Sequence, residues 1–229
     1  SCMDDAAIDA KLAEIPKVDY ERIGERMFAE LVYVNYAADT DKDRYVEIVK
    51  KAAALNRTLI LGCKDVELAK AALEVCKEAK PGLNGADASN YAEMSAVATE
   101  AGVVLGVTGK DLNELYDTVA ALEKAGNKNL ILDVGTASIK EAYGNAVQIR
   151  RAAVKDQDRT FGYPTLVNVA ALAHGDRVMQ QALLSMFTMK YGSIVVVETL
   201  DYAEALPLFG LRQNVFTDPQ KPMKVEPGI

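Results

Sequence analysis

The chain has 229 residues, half of them apolar and about a quarter charged, with a formal net charge of −7. This length makes one large domain or two small ones, with room for an ample core. The negative balance argues against a nucleic-acid partner, and no run approaches the ~18 apolar residues of a membrane span.

The three cysteines, Cys2, Cys63 and Cys76, are scattered and form no CxxC pair. A disulfide framework is therefore not expected, nor is an iron–sulfur cluster held by this chain alone. His174 is the single histidine, so no histidine-rich metal site is expected. No signal peptide opens the chain, and the expected compartment is the reducing cytoplasm.

Residues 4–28 carry a helical pattern broken near Pro16, with Ile8, Leu12 and Ile15 on one face and Tyr20, Ile23, Met27 and Phe28 as a second run. LVYVNY (31–36) is β-branched and aromatic, hence a strand. A helix over 41–55 faces inward through Val46, Val49 and Ala53. TLILGC (58–63) is the next strand, and Asp65 can cap the helix that buries Val66, Ala69, Leu73 and Cys76. PGLNGA (81–86) has little strand propensity and is placed as a strand by the alternation alone. A helix over 90–101 closes at Gly102, and VVLGVT (103–108) follows as a strand.

The helix over 111–125 carries the stripe Leu112, Leu115, Val119 and Leu122, and Gly126 ends it. NLILDVG (129–135) and the strand over 163–169 flank a helix with Ile139, Ala142, Ala146 and Ile149 on one face, which makes a parallel crossover unit. A helix over 176–190 is expected to turn Val178, Ala182, Met186 and Met189 inward. SIVVVETL (193–200) is expected as a strand buried on both faces. A helix over 202–216 should bend or break at Pro207. The ending, 217–229, holds three prolines and reads as a linker toward a further domain.

Seven consecutive βα units with no long irregular insert predict a TIM (β/α)8 barrel over residues 1–216. Because the chain opens on a helix, its strands count as two to eight, and the first would lie upstream. The alternative is an open doubly wound sheet, but neither GxGxxG nor GxxxxGK[ST] is present. In parallel α/β folds ligands meet the carboxyl ends of the strands, which here carry Asn35, Cys63, Asn84, Thr108, Asp133, Asn168 and Glu198. Asn84, Asp133 and Asn168 together suit the donors and acceptors of a flat heterocycle such as a pterin. Taken singly, each can instead cap a helix or bond loop backbone. Glu198 with Asp133 could form an acid–base pair. His174, after the Asn168 strand, is a candidate general acid or a helix-start hydrogen bonder, and Cys63 a plain buried thiol.

NLILDVGTASIKEAYGNAVQIRRAAV (129–154) and the stretch from GYPTLVNVAALAHGD (162–176) to the end resemble the large (gamma) subunit of the corrinoid iron–sulfur protein of the acetyl-CoA decarbonylase/synthase system. The likeness runs from about Met3 onward. It implies a TIM-barrel middle domain, with a four-iron four-sulfur domain before it and a corrinoid-binding (cobalamin) domain after it. It also implies a role in carrying a methyl group from a methyltetrahydropterin-dependent methyltransferase, on cobalt, to acetyl-CoA synthase. The implied partners are that methyltransferase, acetyl-CoA synthase and the small subunit of the corrinoid iron–sulfur protein. The barrel's implied share is architectural, with no catalytic residue of its own. The family's barrels are similar to pterin-binding methyltransferase barrels, which set Asn, Asp and Asn at successive strand ends, an order that Asn84, Asp133 and Asn168 fit. Cys63-Lys64-Asp65 displaces the acidic residue those barrels carry on the preceding strand. The alternative is a pterin-dependent methyltransferase barrel active in its own right.

Overall fold

The computed structural model describes residues 3–79 and 81–216. It begins with α1 (Asp5–Glu14), whose first turn is capped by Asp4 accepting from Ala7 N at 2.8 Å. Pro16 then sits in a single 3-10 turn, Ile15–Lys17. The second helical run expected before residue 28 is instead an antiparallel hairpin of β1 (Asp19–Arg22) and β2 (Glu25–Phe28). Its two turn residues, Ile23 and Gly24, have φ of 53° and 74°. Two consecutive positive φ angles match the twist of a tight hairpin. Tyr20 and Met27, seven apart as on a helix face, are cross-strand partners in this register.

The βα alternation follows as expected. It runs β3 (Leu31–Asn35), α2 (Lys42–Ala53), β4 (Thr58–Gly62), α3 (Val66–Cys76), β5 (Gly82–Ala86), α4 (Tyr91–Ala101) and β6 (Leu105–Val107). It continues through α5 (Leu112–Lys124), β7 (Leu130–Asp133), α6 (Ile139–Lys155), β8 (Thr165–Asn168), the short α7 (Val169–Ala173), α8 (Arg177–Met189), β9 (Ile194–Val196) and α9 (Tyr202–Phe216). Asp41, Asp65, Asp111, Ser138 and Asp176 each cap the helix they precede, with a side-chain oxygen accepting a first-turn N–H. Such a cap satisfies donors the helix itself cannot reach. Gly102, left-handed at φ 66°, closes α4. Pro207 lies within α9, which is one unbroken helix.

Strands β3 to β9 form one parallel sheet in sequence order, each bonded to its chain neighbours. This is a TIM-type barrel that nearly closes. Among the described residues β3 and β9 share no pairing, so one seam stays open. Helix α1 lies against that seam. It runs alongside α2 in the same direction, with Asp5 on Arg44 at 3.1 Å and Asp9 on Lys51 at 2.7 Å. Its Lys11 reaches Glu198 beyond β9 at 2.8 Å.

Alternation along the strands divides the core in two. Val32, Val34, Leu59, Leu61, Leu83, Leu105, Leu132 and Val167 belong to the main cluster, packed with the helices. Ile60, Ile131 and Leu166 fill the barrel interior with Tyr33, Val104, Ile194 and Val196 around them. A third cluster joins the hairpin to α9 through Val18, Met27, Ala205 and Phe209. Arg57, just before β4, fastens the hairpin by stacking on Phe28 and bonding Asp19 at 3.1 Å.

Three further expectations need correction. Helix α8 buries Gln180, Leu183, Leu184 and Phe187, while Val178 is 81% exposed and Met189 49%. The buried stripe lies about half a turn from the expected one, and it holds the bulkier Leu and Phe side chains. In α2 the buried set is Tyr45, Ile48, Val49 and Ala52, rotated slightly toward the tyrosine. Finally, β9 spans only Ile194–Val196, and all three residues are half-buried. A strand is covered on both faces and both edges only when neighbours stand on each side, and β9 has one. The expected linker, 217–229, lies outside the described residues. No helix among the described residues is long and apolar enough to cross a membrane.

Candidate functional site

Gly62 on β4, Asn84 on β5 and Gly106 on β6 stand in one register row. Both glycines leave space that side chains from other strands use. A Cβ on Gly62 would lie 2.5 Å from the Tyr33 hydroxyl, and one on Gly106 would lie 2.2 Å from Asn84 Oδ1. Tyr33 of β3 therefore reaches across β4 to Asn84, and Asn84 lies over Gly106 of β6 on its way to β7. Asn84 Nδ2 donates to Tyr33 Oη at 3.0 Å and to Asp133 Oδ2 at 2.8 Å. The result is a polar chain spanning five strands in an interior otherwise filled by aliphatic groups. Gly85, at φ 152°, lets β5 pass Cys63, whose carbonyl would be 2.2 Å from any Cβ there.

Asp133 ends β7 and accepts from Gly135 N at 3.0 Å through Oδ1. Its carboxyl is pushed above the usual range by burial, against the opposing pull of the Asn84 and Gly135 hydrogen bonds and of Lys64. It is nonetheless reachable from a cavity of about 500 Å³ at the carboxyl ends of the strands. Burial likewise raises the Tyr33 hydroxyl to about 12, so it stays a neutral phenol. Asn84 is 5% exposed, and its Oδ1 has no hydrogen-bond partner. Most buried polar atoms are paired, and this one instead lies over Gly106 of the neighbouring strand.

Asn84, Asp133 and Asn168 all line this cavity, as do Asn35, Cys63 and Thr108. Asn168 also caps α7, its Oδ1 accepting from Ala171 N at 3.0 Å. The Cys63 thiol donates to Asp65 O at 3.4 Å and is raised by burial, which makes it a structural thiol. Glu198 does not line the cavity and pairs with Lys11 instead. His174 does not line it either. It ends α7 in a left-handed conformation, φ 47°, and the following helix start belongs to Asp176. Tyr33 was not legible as a site residue, because it sits mid-strand in an apolar run. The signal for it is the pair of small residues, Gly62 and Gly106, that make way for long side chains. Two lysines stand at the rim, Lys64 on Asp87 at 2.8 Å and Lys110 on Glu114 at 3.1 Å.

A family model described as the CO dehydrogenase/acetyl-CoA synthase delta subunit matches residues 2–229. The large subunit of the corrinoid/iron-sulfur protein of Moorella thermoacetica is 34% identical over 96% of this chain and 48% of its own length. The chain belongs to this family. The gamma subunit of the acetyl-CoA decarbonylase/synthase complex of Archaeoglobus fulgidus is 32% identical over 99% of the chain and 50% of its own length. The chain thus spans about half the length of these large and gamma subunits. The family barrel also shares its fold with dihydropteroate synthase from Thermus thermophilus. That structure superposes with a TM-score of 0.67 at 16% identity, over 93% of this chain and 90% of the synthase.

The described residues do not fit the groups in the relatives' names. Cys63 and Cys76 are the described thiols, each bonded to a backbone carbonyl, and no cluster of three His, Cys, Asp or Glu is present among the described residues. Three cysteines in the sequence fall short of a four-thiolate set. A cavity of about 500 Å³ suits a ligand of drug size rather than a corrin macrocycle.

Proposed function

We propose that this chain is the barrel of a corrinoid iron–sulfur methyl-carrier protein, and that it acts as a scaffold in methyl transfer from a methyltetrahydropterin to acetyl-CoA synthase. The supporting observation is the family match across residues 2–229. The iron–sulfur cluster and the corrinoid belong to other parts of the full protein, the cluster before the barrel and the corrinoid after it. The barrel docks to the small subunit and holds the carrier where a pterin-dependent methyltransferase and acetyl-CoA synthase can each reach it, in the cytoplasm. A scaffold suits the site better than an independent methyltransferase. His174 and Glu198, the side chains that could have moved a proton beside Asp133, do not line the cavity. Size-exclusion chromatography of the chain mixed with the small subunit of the corrinoid iron–sulfur protein checks the docking role. A one-to-one complex is expected, and two separate peaks at tens of micromolar would remove that role from the barrel.

A further inference from the structure

We infer that the outer face of helices α8 and α9 is a docking surface, and that its occupant is a second barrel of this same family, carried by the small subunit. The inference rests on the docking role proposed above and names the surface that performs it.

A helix on the outside of a barrel ordinarily has an apolar side and a charged side. Helix α2 does, with six charged residues in twelve. Helix α8 does not: from Val178 to Met189 it carries no charged residue. Leu183, Leu184 and Phe187 fill its core side, while Val178, Met179 and Met189 are 81%, 40% and 49% exposed. Helix α9 continues the face with Tyr202 and Leu206, one turn apart and 55% and 40% exposed. Single exposed apolar groups are ordinary, but two neighbouring outer helices that both lack a charged side are not. The charged residues of α9 are Glu204 and Arg212, and α8 begins with Arg177. All three are paired within the chain. Arg177 bonds Asp201 at 2.8 Å and Glu204 at 2.6 Å, and Arg212 bonds Glu30 at 3.2 Å. Gln180 ties α8 to the segment that leads into α9, accepting from Glu198 N at 2.8 Å and donating to Thr199 O at 3.1 Å. The face is thus held in shape before a partner arrives, which lowers the entropy lost on docking.

Size and charge select the occupant. At about 1.5 Å per residue, and with neighbouring helices about 10 Å apart, the two helices offer a face of about 400 Å². Apolar patches of about that size mark interaction sites, and this one suits the core of an interface of about 800 Å² per partner. A face whose cations are already paired offers little to a phosphate backbone or an anionic membrane. It fits another uncharged helix face. The family supplies one, because the model that matches this chain is described for a delta subunit while the relatives are gamma subunits. One kind of barrel therefore serves two subunits. A homologous barrel brings its counterparts of α8 and α9 in the same place, and two such faces packed helix on helix about a twofold-like axis close into a pair.

Calorimetric titration of the full chain with the small subunit of the corrinoid iron–sulfur protein tests this. The variants are Val178→Glu on α8, Leu206→Glu on α9 and, as a control on α3, Val75→Glu, another exposed apolar residue. Each is checked for folding by circular dichroism. Val178→Glu and Leu206→Glu should each weaken the complex by about tenfold or more, because docking would bury an unpaired charge. Val75→Glu should leave the affinity unchanged. A native complex that all three substitutions leave intact, or that all three weaken alike, would overturn the inference and keep the docking role. No complex with the native chain would remove both. Sedimentation equilibrium of the chain alone covers a second copy as the occupant. A homodimer that Val178→Glu dissociates and the small subunit does not displace would overturn the choice of partner.

Discussion

Replacing Gly106 by alanine is the sharpest probe of how the interior polar chain is built. Gly106 does not have positive φ, so alanine suits the backbone and would by itself add about 0.4–1 kcal/mol through the unfolded state. The new methyl group, however, would sit 2.2 Å from Asn84 Oδ1 and 2.9 Å from Asn84 Cγ. Overpacking of that kind costs about 1–3 kcal/mol. Pushing Asn84 off Asp133 also removes a buried hydrogen bond to a carboxyl group, about 1.5–3 kcal/mol if the group is ionised. The net expected loss is about 2–5 kcal/mol. For a chain of this size, a loss of about 3 kcal/mol lowers Tm by about 6–12 °C. The assay is urea unfolding of four proteins: native, Gly106→Ala, Asn84→Ala and the double substitution. In the Asn84→Ala background the clashing atoms are gone, so adding Gly106→Ala should cost less than about 1 kcal/mol. Equal costs in the two backgrounds would show that Asn84 does not occupy the space above Gly106, and the polar chain would have to be redrawn.

Gly62→Ala should be destabilising in the same way. Tyr33→Phe will not rescue it, because Tyr33 Cζ and Cε1 also lie 2.7 and 2.8 Å from the new Cβ; Tyr33→Ala will, in the same unfolding assay. Tyr33→Phe alone removes one acceptor of Asn84 Nδ2 and should cost about 1 kcal/mol. Burial raises the Asp133 carboxyl in the folded state, so the folded chain holds that proton more tightly than the unfolded one. This contribution is fully present below the unfolded carboxylate range and is lost as pH rises through the folded value. Asp133→Asn should therefore gain stability relative to native between about pH 4 and pH 7, and a constant or shrinking difference would place the charge elsewhere. Met27, fully buried between the hairpin and α9, should cost about 2–5 kcal/mol when truncated to alanine, read by thermal unfolding.

Much of the barrel is legible because each strand but one is a short β-branched run, and most are followed by an aspartate or serine that caps the next helix. Gly82–Ala86 has no such composition, and its place in the alternation supplied it. The hairpin at Asp19–Phe28 was hidden because a cross-strand pair and a helix face can share the same apolar spacing. The dipeptide Ile23-Gly24 was its turn signal, and isoleucine at positive φ is the part no propensity suggests. Met186 and Met189 looked as apolar as Leu183 and Phe187, so apolar content alone did not orient α8. At the site, Asp133 and Asn168 were readable as polar endings of apolar runs, whereas Asn84 stands mid-strand in Gly82–Ala86 and came in with that strand's place in the alternation. Glu198 ended such a run too, but it is drawn outward by Lys11 of α1, a contact 187 residues apart that no local pattern carries.

The sequence-order pairing of β3 to β9 also shapes how the chain folds. Every strand pairing joins sequence neighbours, so each pairing closes only the short loop of one βα unit. Among the described residues no pairing joins β3 to β9. Loop entropy grows with length, so the local pairings are inexpensive to close, and within β3 to β9 the strands are coupled like links in a linear array. Assembly can then begin at any interior unit and grow both ways. Local opening should run in reverse, from the ends of this row toward the strands around Asn84, which leaves the cavity lined by Asn84 and Asp133 in the last part of the sheet to come apart.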